Sequence, residues 1–383
     1  MQQIAASWLV LQLTHSPVAV GALALTQLLP VTALGLFVGT LLDRFEVRLV
    51  ALCVEWASLV VVGLLAALTL AHVVTVWEIY VFSGLLGVAQ SVGGPARHAL
   101  VFQMVGPGDL ANAVSLNSSL GTAARVLGPA IGGAVVAVAG AGVAFGINSL
   151  SFLGEVVALL ALDRSKLHEP IRDHGATIVG GAVDALRFVL TTPRAAVAFF
   201  GVFALSTFSF NFNVLLPLVA DRTLSAGAQT FGLIAAVFGA GALVGATINA
   251  ARGRASLRVL LVGALGYGVT ELALAPQRSL VGVCAILFAI GFFYTQWGTT
   301  ALATIQLEAP ERLRGRAASL YFFAFLGGAP VGGLFAGWLV DAGGTMLAFD
   351  VAGSVAVVTA FACAATLLRT SPRRRFASSL LTR

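Results

Sequence analysis

The chain has 383 residues, of which 58% are hydrophobic and 10% are charged, and its mean hydropathy is +0.97. Because soluble domains carry about a quarter charged residues, this composition excludes a soluble globular protein and predicts an integral membrane protein. The net charge of +6 does not indicate nucleic-acid binding, since the basic residues fall in short breaks between apolar segments.

Continuous apolar runs recur along almost the whole sequence. Many have about 18 to 25 residues, the length at which a helix crosses about 30 Å of hydrocarbon, whereas barrel strands would alternate over about ten residues. The runs therefore predict an all-helical membrane bundle. Twelve runs, the first one short, span 1–14, 17–42, 48–72, 75–101, 111–140, 142–163, 193–220, 228–251, 256–276, 278–307, 316–340 and 345–368.

The basic residues are distributed unevenly over the breaks between these runs. All but three of the 22 fall on one side of the membrane, the exceptions being Arg125, Arg222 and Arg278. By the positive-inside rule that side is cytoplasmic. The sequence therefore predicts a multi-pass protein of the cell membrane with its basic tail, residues 369–383, in the cytoplasm.

The first run is shorter than a membrane span. As a helix, residues 1–14 would extend about 21 Å, and the charge distribution places His15 outside, so that Met1 would begin within the bilayer. We expect that the natural chain starts upstream or that this copy is truncated. A cleaved signal peptide is the competing interpretation, but no basic residue precedes Arg44 to form its leader.

The longest polar break is the cytoplasmic connector at 164–192, which separates six runs from six. From Ile178 to Leu190 its apolar residues recur at spacings of three and four, which predicts an amphipathic helix on the membrane surface. A simple tether is the alternative.

Two glycine-rich elements occupy the fifth run of each group of six. They read GPAIGG at 128–133 and GAPVGG at 328–333. This repetition predicts two six-helix halves, 1–163 and 193–368. Parallel halves of this kind are a transporter architecture whose solute site lies near mid-membrane, where the halves meet.

Three motifs together resemble the major facilitator superfamily: GTLLDRFEVR at 39–48, the GPAIGG element, and PARHALVFQMVGPGDLANAVSLN at 95–117. More narrowly, they are similar to bacterial efflux permeases related to the enterobactin exporter and to macrolide efflux proteins. The resemblance implies a monomer with the major facilitator fold, whose halves alternate access to one cavity, usually in exchange for protons. One departure is Ser83, which stands where many proton-coupled drug exporters carry an arginine.

The charged loop after the second run is the candidate gate. The resemblance implies that Asp43, after Gly39, pairs at the cytoplasmic end of the opposite half, while Arg44 and Arg48 hold the loop to neighbouring carboxylates. Glu55 lies about two turns from Arg48 and is assigned to the same charge cluster. The alternative is a solvated loop that obeys only the charge rule.

The GPAIGG element has two interpretations. Gly128, Gly132 and Gly133 let helices approach closely in lipid, and Pro129 removes a backbone donor and bends its helix. The element is therefore either a hinge between the halves or a packing contact.

Arg125 lies deep within an apolar run and requires a partner there. Glu155 in the sixth run is the nearest candidate by sequence. A structural ion pair and a role with an anionic substrate or with protons both remain open for these two residues.

The runs that would line the cavity carry amides and aromatic rings. This combination is typical of a pocket for a bulky, largely apolar organic solute. The candidate substrate-binding residues are Gln90, Asn211, Asn213, Tyr294 and Gln296, accompanied by Phe208, Phe210, Phe212, Trp297, Tyr321 and Phe322.

The sequence carries no nucleotide-binding loop, catalytic triad or metal-ligand cluster. Cys53, Cys284 and Cys363 lie in apolar runs at spacings that fit neither a zinc site nor a disulfide framework. We therefore predict no cofactor and no enzyme, but a secondary transporter that exports a small, siderophore- or drug-like molecule by proton antiport. An uptake permease of the same fold and an inactive protein left by truncation are the alternatives.

Replacing Asp43 by Asn is expected to cut transport severely while leaving the abundance of the protein in the membrane intact, because the change removes one charge from a gating contact. Solute transport and immunoblotting of membranes measure these two quantities. Near-normal transport by the variant would remove the gating role.

Overall fold

The computed structural model describes residues 1–34, 38, 44–164, 167–168, 178–252, 256–310 and 313–370, and the regular secondary structure of these residues is helical, without strands. The helices are α1 (Gln2–Thr14), α2 (Pro17–Leu34), α3 (Val47–Leu70), α4 (Val76–Ala161), α5 (Ile178–Thr191), α6 (Pro193–Phe208), α7 (Phe212–Leu218, followed by a π-helical turn over Val219–Thr223), α8 (Ala228–Arg252), α9 (Leu257–Leu274), α10 (Leu280–Glu308), α11 (Arg314–Gly327) and α12 (Ala329–Thr370).

Several helix starts follow from local sequence signals. Thr75 and Glu78 form a capping box at the start of α4, in which the Thr75 backbone N–H donates to Glu78 Oε2 at 2.6 Å. Ser279 caps α10 by accepting from the backbone N–H of Gly282. Pro193 occupies the first turn of α6, where its missing N–H costs nothing.

Eight segments of the described chain are long and apolar enough to cross a membrane. Large apolar side chains on them face outward; for example, Val138 is 85% exposed and Val281 is 81% exposed. Surfaces of this kind are stable against lipid rather than water. The prediction of an all-helical membrane protein is confirmed. The spans are Pro17–Leu34, Val47–Leu70, Ile131–Ala161, Pro193–Thr223, Ala228–Arg252, Leu257–Leu274, Leu280–Glu308 and Leu320–Leu368.

The element α4 extends over 86 residues and is helical through 102–110, where the sequence predicts a polar break. A straight helix of this length would extend about 129 Å, four times the thickness of the hydrocarbon. Instead, Arg97 Nη1 lies 3.3 Å from Glu155 Oε2, so the chain folds back within the element. Gly140, with φ at 83°, provides a left-handed turn that permits one such reversal.

The described helices pack as two compact units that interleave along the sequence. After α6, some segments belong to unit 1 and others to unit 2, so these units differ from the two predicted six-helix halves. The two halves stay a prediction. Unit 1 comprises Met1–His174, Phe212–Gly239 and Gly333–Thr345, and unit 2 comprises Gly175–Asn211, Ala240–Gly332 and Met346–Arg383.

Unit 1 is held together by close helix contacts at glycine. A methyl group at Gly133 in α4 would overlap Gly232 Cα in α8, and one at Gly21 would lie 2.6 Å from the carbonyl oxygen of Gly333. In lipid no hydrophobic force drives helices together, so small residues that allow backbones to touch supply the packing energy. Gly133 of GPAIGG is therefore a packing contact in this conformation, as is Gly132, where a methyl would lie 2.8 Å from Met1 Cα; a hinge role stays a prediction.

Glycines also bring the helices of unit 2 into close contact, α8 with α10 and α9 with α12. A methyl at Gly245 would lie 2.7 Å from the carbonyl oxygen of Phe292, and one at Gly268 would lie 2.9 Å from that of Gly353. Helix α5, where the sequence predicts an amphipathic helix, buries Ala185 and Val189. Its position on the membrane surface stays a prediction.

We expect Gly133→Ala to lower the stability of the protein by about 1–3 kcal/mol, because the added methyl forces α4 and α8 apart. Gly154→Ala is the matched control, since a methyl there meets nothing within 4 Å. Thermal unfolding in detergent micelles, followed by tryptophan fluorescence, measures both variants. Equal unfolding temperatures would contradict the packing role of Gly133.

Candidate functional site

A charge cluster joins α3 to the two arms of α4 in unit 1. Arg97 Nη1 lies 2.6 Å from Glu55 Oε1 and 3.3 Å from Glu155 Oε2. The Glu55 side chain is 1% exposed, whereas those of Arg97 and Glu155 are half-exposed. A carboxylate buried in this way requires a partner, and Arg97 supplies it.

Arg48 contacts backbone rather than the neighbouring carboxylates that the sequence analysis expected. Its Nε donates to the Leu159 carbonyl oxygen at 2.8 Å and its Nη2 to that of Leu160 at 3.1 Å. The last carbonyls of a helix lack intrahelical donors and attract cations, which explains this choice. Glu55 accordingly pairs with Arg97 and not with Arg48.

The other residues predicted for this region of the chain are described only in part. Gly39 and Asp43 lie outside the described residues, as do the side chains of Arg125 and Pro129, while Arg44 is exposed. Glu155, predicted as the partner of Arg125, contacts Arg97.

In unit 2, the helix that crosses the membrane from Pro193 is interrupted. Between the end of α6 and the start of α7, residues Ser209, Phe210 and Asn211 are not helical, near the middle of the candidate span. The backbone N–H groups of Ser209 and Phe210 both donate to the Leu205 carbonyl oxygen, and Asn211 Nδ2 donates to that of Thr207 at 3.0 Å. Non-helical backbone at membrane depth is tolerated only where protein or a water-lined cavity satisfies it.

The second glycine element packs against this interruption. A methyl at Gly332 would overlap the Thr207 carbonyl oxygen and lie 3.1 Å from Asn211 Nδ2, and one at Gly328 would overlap the Thr207 side chain. Both glycines are therefore required for the close approach of this segment to α6.

Aromatic side chains gather beside the interruption. Phe210 stacks on Tyr294 with ring centroids 4.3 Å apart and lies 5.7 Å from Phe325; Tyr321 stacks on Phe325 at 6.0 Å, and Trp297 meets Tyr294 edge-on at 5.8 Å. We call these five residues the aromatic cluster. Four of them were predicted from the sequence; Phe325 was not, although its position one turn after Tyr321 was the available signal.

A family model described as "Transmembrane secretion effector" matches residues 1–380 of the chain. The chain belongs to this family of major facilitator transporters. Among curated relatives, the multidrug efflux pump Tap of Mycolicibacterium fortuitum is 28% identical, covering 90% of this chain and 86% of that protein. The enterobactin exporter EntS of Escherichia coli O1:K1 is 26% identical, covering 85% and 78%. The predicted resemblance to the efflux branch is confirmed, as is the prediction that the chain is not an enzyme.

The fold is shared with solved transporters. The crystal structure of the nucleoside transporter NupG superimposes with a TM-score of 0.74 and 13% sequence identity, covering 96% of this chain and 94% of that chain. At this identity the likeness concerns the fold alone.

The amide side chains predicted for the solute site are either bound to structural partners or exposed. Gln296 donates to the Gly245 carbonyl oxygen and accepts from Arg252 Nη1 at 2.9 Å, so its amide already serves structural partners. Gln90 and Asn213 are exposed. Among the other predicted aromatic residues, Phe322 meets Tyr321 of the cluster edge-on at 5.4 Å, Phe212 stacks on Phe238 in unit 1, and Phe208 is 39% exposed.

We expect Arg97→Gln to destabilise the transporter by about 1–3 kcal/mol, because it leaves the buried Glu55 without its charged partner. The double variant with Glu55→Gln is expected to recover most of this loss. Unfolding in detergent micelles measures the three proteins.

Arg194→Gln is the matched control for this prediction. Arg194 Nη1 lies 3.1 Å from Glu308 Oε1 in a pair whose arginine is 60% exposed. Such exposed pairs contribute about 0–1 kcal/mol. If Arg97→Gln were no more destabilising than Arg194→Gln, the cluster would have no structural role.

Proposed function

We propose that this transporter exports a small, largely apolar organic solute, siderophore- or drug-like, by alternating access and proton antiport. The observation that carries the proposal is the aromatic cluster, which lies beside a helix interrupted within its span. Stacked rings offer a broad apolar surface with weak directional demands, which suits solutes of varied shape. Interrupted helices are also where transporters of many folds place their solute sites.

The names of the relatives support export over uptake. One is a multidrug efflux pump and another an enterobactin exporter, and both align over most of this chain. Their names indicate outward movement of organic molecules, which favours the same direction here.

Contacts within unit 1 support an outer gate. The charge distribution would place His15 and Arg222 outside and the tail in the cytoplasm. Arg222 Nη2 donates to the His15 carbonyl oxygen at 3.1 Å, and Trp8 stacks on Phe231 at 5.6 Å. In the proposed cycle of two six-helix halves, these contacts close the outer side while solute enters from the cytoplasm.

Inverted membrane vesicles test the proposal. With an acidic interior, vesicles that contain the transporter are expected to accumulate ethidium or enterobactin, and a protonophore is expected to abolish the accumulation. Tyr294→Ala should reduce it about tenfold, because it removes the ring that contacts Phe210, Trp297 and Phe325, and because one aromatic contact with the solute contributes about 0.5–1.5 kcal/mol.

Two variants serve as controls for this experiment. Tyr294→Phe keeps the ring and is expected to transport nearly as well as the wild type. Phe361→Ala removes a ring that is 62% exposed and is expected to have no effect. Accumulation in right-side-out vesicles instead of inverted ones would contradict export and favour an uptake permease.

A further inference from the structure

Glu271 lies on α9 in the interior of unit 2 and is completely buried. Within the described part of the chain, neither of its carboxyl oxygens has a hydrogen-bond partner. An ionised carboxylate in such a place would lose its hydration without compensation, which is the costliest burial that a side chain can undergo. The neutral, protonated acid avoids most of this cost.

The surroundings of Glu271 are set by close helix packing. Gly268, one turn earlier, approaches Gly353 of α12 so closely that a methyl would lie 2.9 Å from the Gly353 carbonyl oxygen. The backbones of α9 and α12 are therefore in direct contact one turn before Glu271.

Two hydroxyl groups face the carboxyl group, and no charged side chain of the described residues does. One belongs to Tyr267, one turn earlier on α9. The other belongs to Ser209, whose Oγ donates its proton to the Ala352 carbonyl oxygen at 2.7 Å. Tyr294 of α10 is the further titratable group near Tyr267.

Ser209 connects the acid to the proposed solute site, because it is the first residue of the helix interruption and precedes Phe210. A second connection runs through rings: Tyr267 meets Trp297 at 5.9 Å, and Trp297 meets Tyr294 at 5.8 Å. The indole N–H of Trp297 also lacks a hydrogen-bond partner among the described residues. Tyr267 therefore neighbours both the Glu271 carboxyl group and the ring of Trp297.

We propose that Glu271 binds the proton that this transporter exchanges for solute, and that the interruption at Ser209–Asn211 couples the two events. This inference rests on the proposed function. When the Oε–H bond of Glu271 breaks and the proton passes to water, the carboxylate accepts hydrogen bonds from Tyr267 and from Ser209. The Ser209 hydroxyl then leaves the Ala352 carbonyl oxygen, which shifts Phe210 against Tyr294 in the aromatic cluster.

Glu271→Gln tests the coupling, since the neutral amide has nearly the shape of the protonated acid. In proteoliposomes, ethidium counterflow without a pH gradient is expected to remain near the wild-type rate, whereas export driven by a pH gradient falls at least tenfold. Proton release on ethidium binding to the protein in detergent, followed with a pH-indicator dye, should disappear. Asp350→Asn, which changes a half-buried acid of the same unit, is the matched control and should behave as the wild type.

Infrared difference spectroscopy gives a readout that does not require transport. The wild type minus Glu271→Gln spectrum is expected to contain the C=O stretch of a protonated carboxylic acid. Its absence, or wild-type proton release by Glu271→Gln, would overturn the inference. Absence of ethidium and enterobactin transport by the wild type would instead reject the proposed function, while the infrared band would still decide the protonation of Glu271.

Discussion

The constraint on which the structure depends is that a polar group inside hydrocarbon must find its partner within the protein. Helices satisfy the backbone in this way, and α4 remains helical even where the sequence suggests a polar break. The same constraint explains why Arg48 binds the carbonyl oxygens of Leu159 and Leu160, and why Glu55 binds Arg97. Glu271 departs from this rule, since its carboxyl oxygens have no hydrogen-bond partner in the described part of the chain, and the proposed coupling depends on that departure.

A second consequence concerns how the helices are held together. Lipid tails are as apolar as leucine, so burial of apolar side chains contributes little to helix association. Backbone contact through glycine takes its place, from Gly133 against Gly232 in unit 1 to Gly268 against Gly353 in unit 2. Contacts of this kind have little tolerance for added volume, but they do not lock helices through interdigitated side chains. They suit a protein whose helices must slide or tilt during transport.

The sequence was sufficient for the membrane class, the family and many helix positions, because apolar length and loop charge act locally along the chain. Four of the five aromatic residues beside the helix interruption were also predictable. The pairing of the charged residues was not predictable. Arg97 was counted only among the loop charges, yet it contacts both Glu55 and Glu155 where the chain has folded back. Distance along the sequence made Glu155 the expected partner of Arg125. Only the folded path of α4 brings Arg97 to Glu155. The division into interleaved units likewise depends on long-range packing that local periodicity does not encode.

The family resemblance assigned no coupling residue to this chain, since Ser83 replaces the arginine that many drug exporters use. In its place, the geometry of unit 2 offers one segment, Ser209–Asn211, whose Ser209 hydroxyl lies near a buried acid and whose Phe210 ring stacks on Tyr294 of the aromatic cluster. A ligand shifts the equilibrium between two conformations only by its difference in affinity for them. In the proposed exchange, the proton and the solute therefore each favour a different arrangement of Ser209–Asn211. An interrupted helix is suited to that task, because two of its backbone N–H groups share one acceptor, the Leu205 carbonyl oxygen, instead of continuing the helical pattern. In the proposed mechanism, such sharing couples proton and solute without requiring the two ligands to touch.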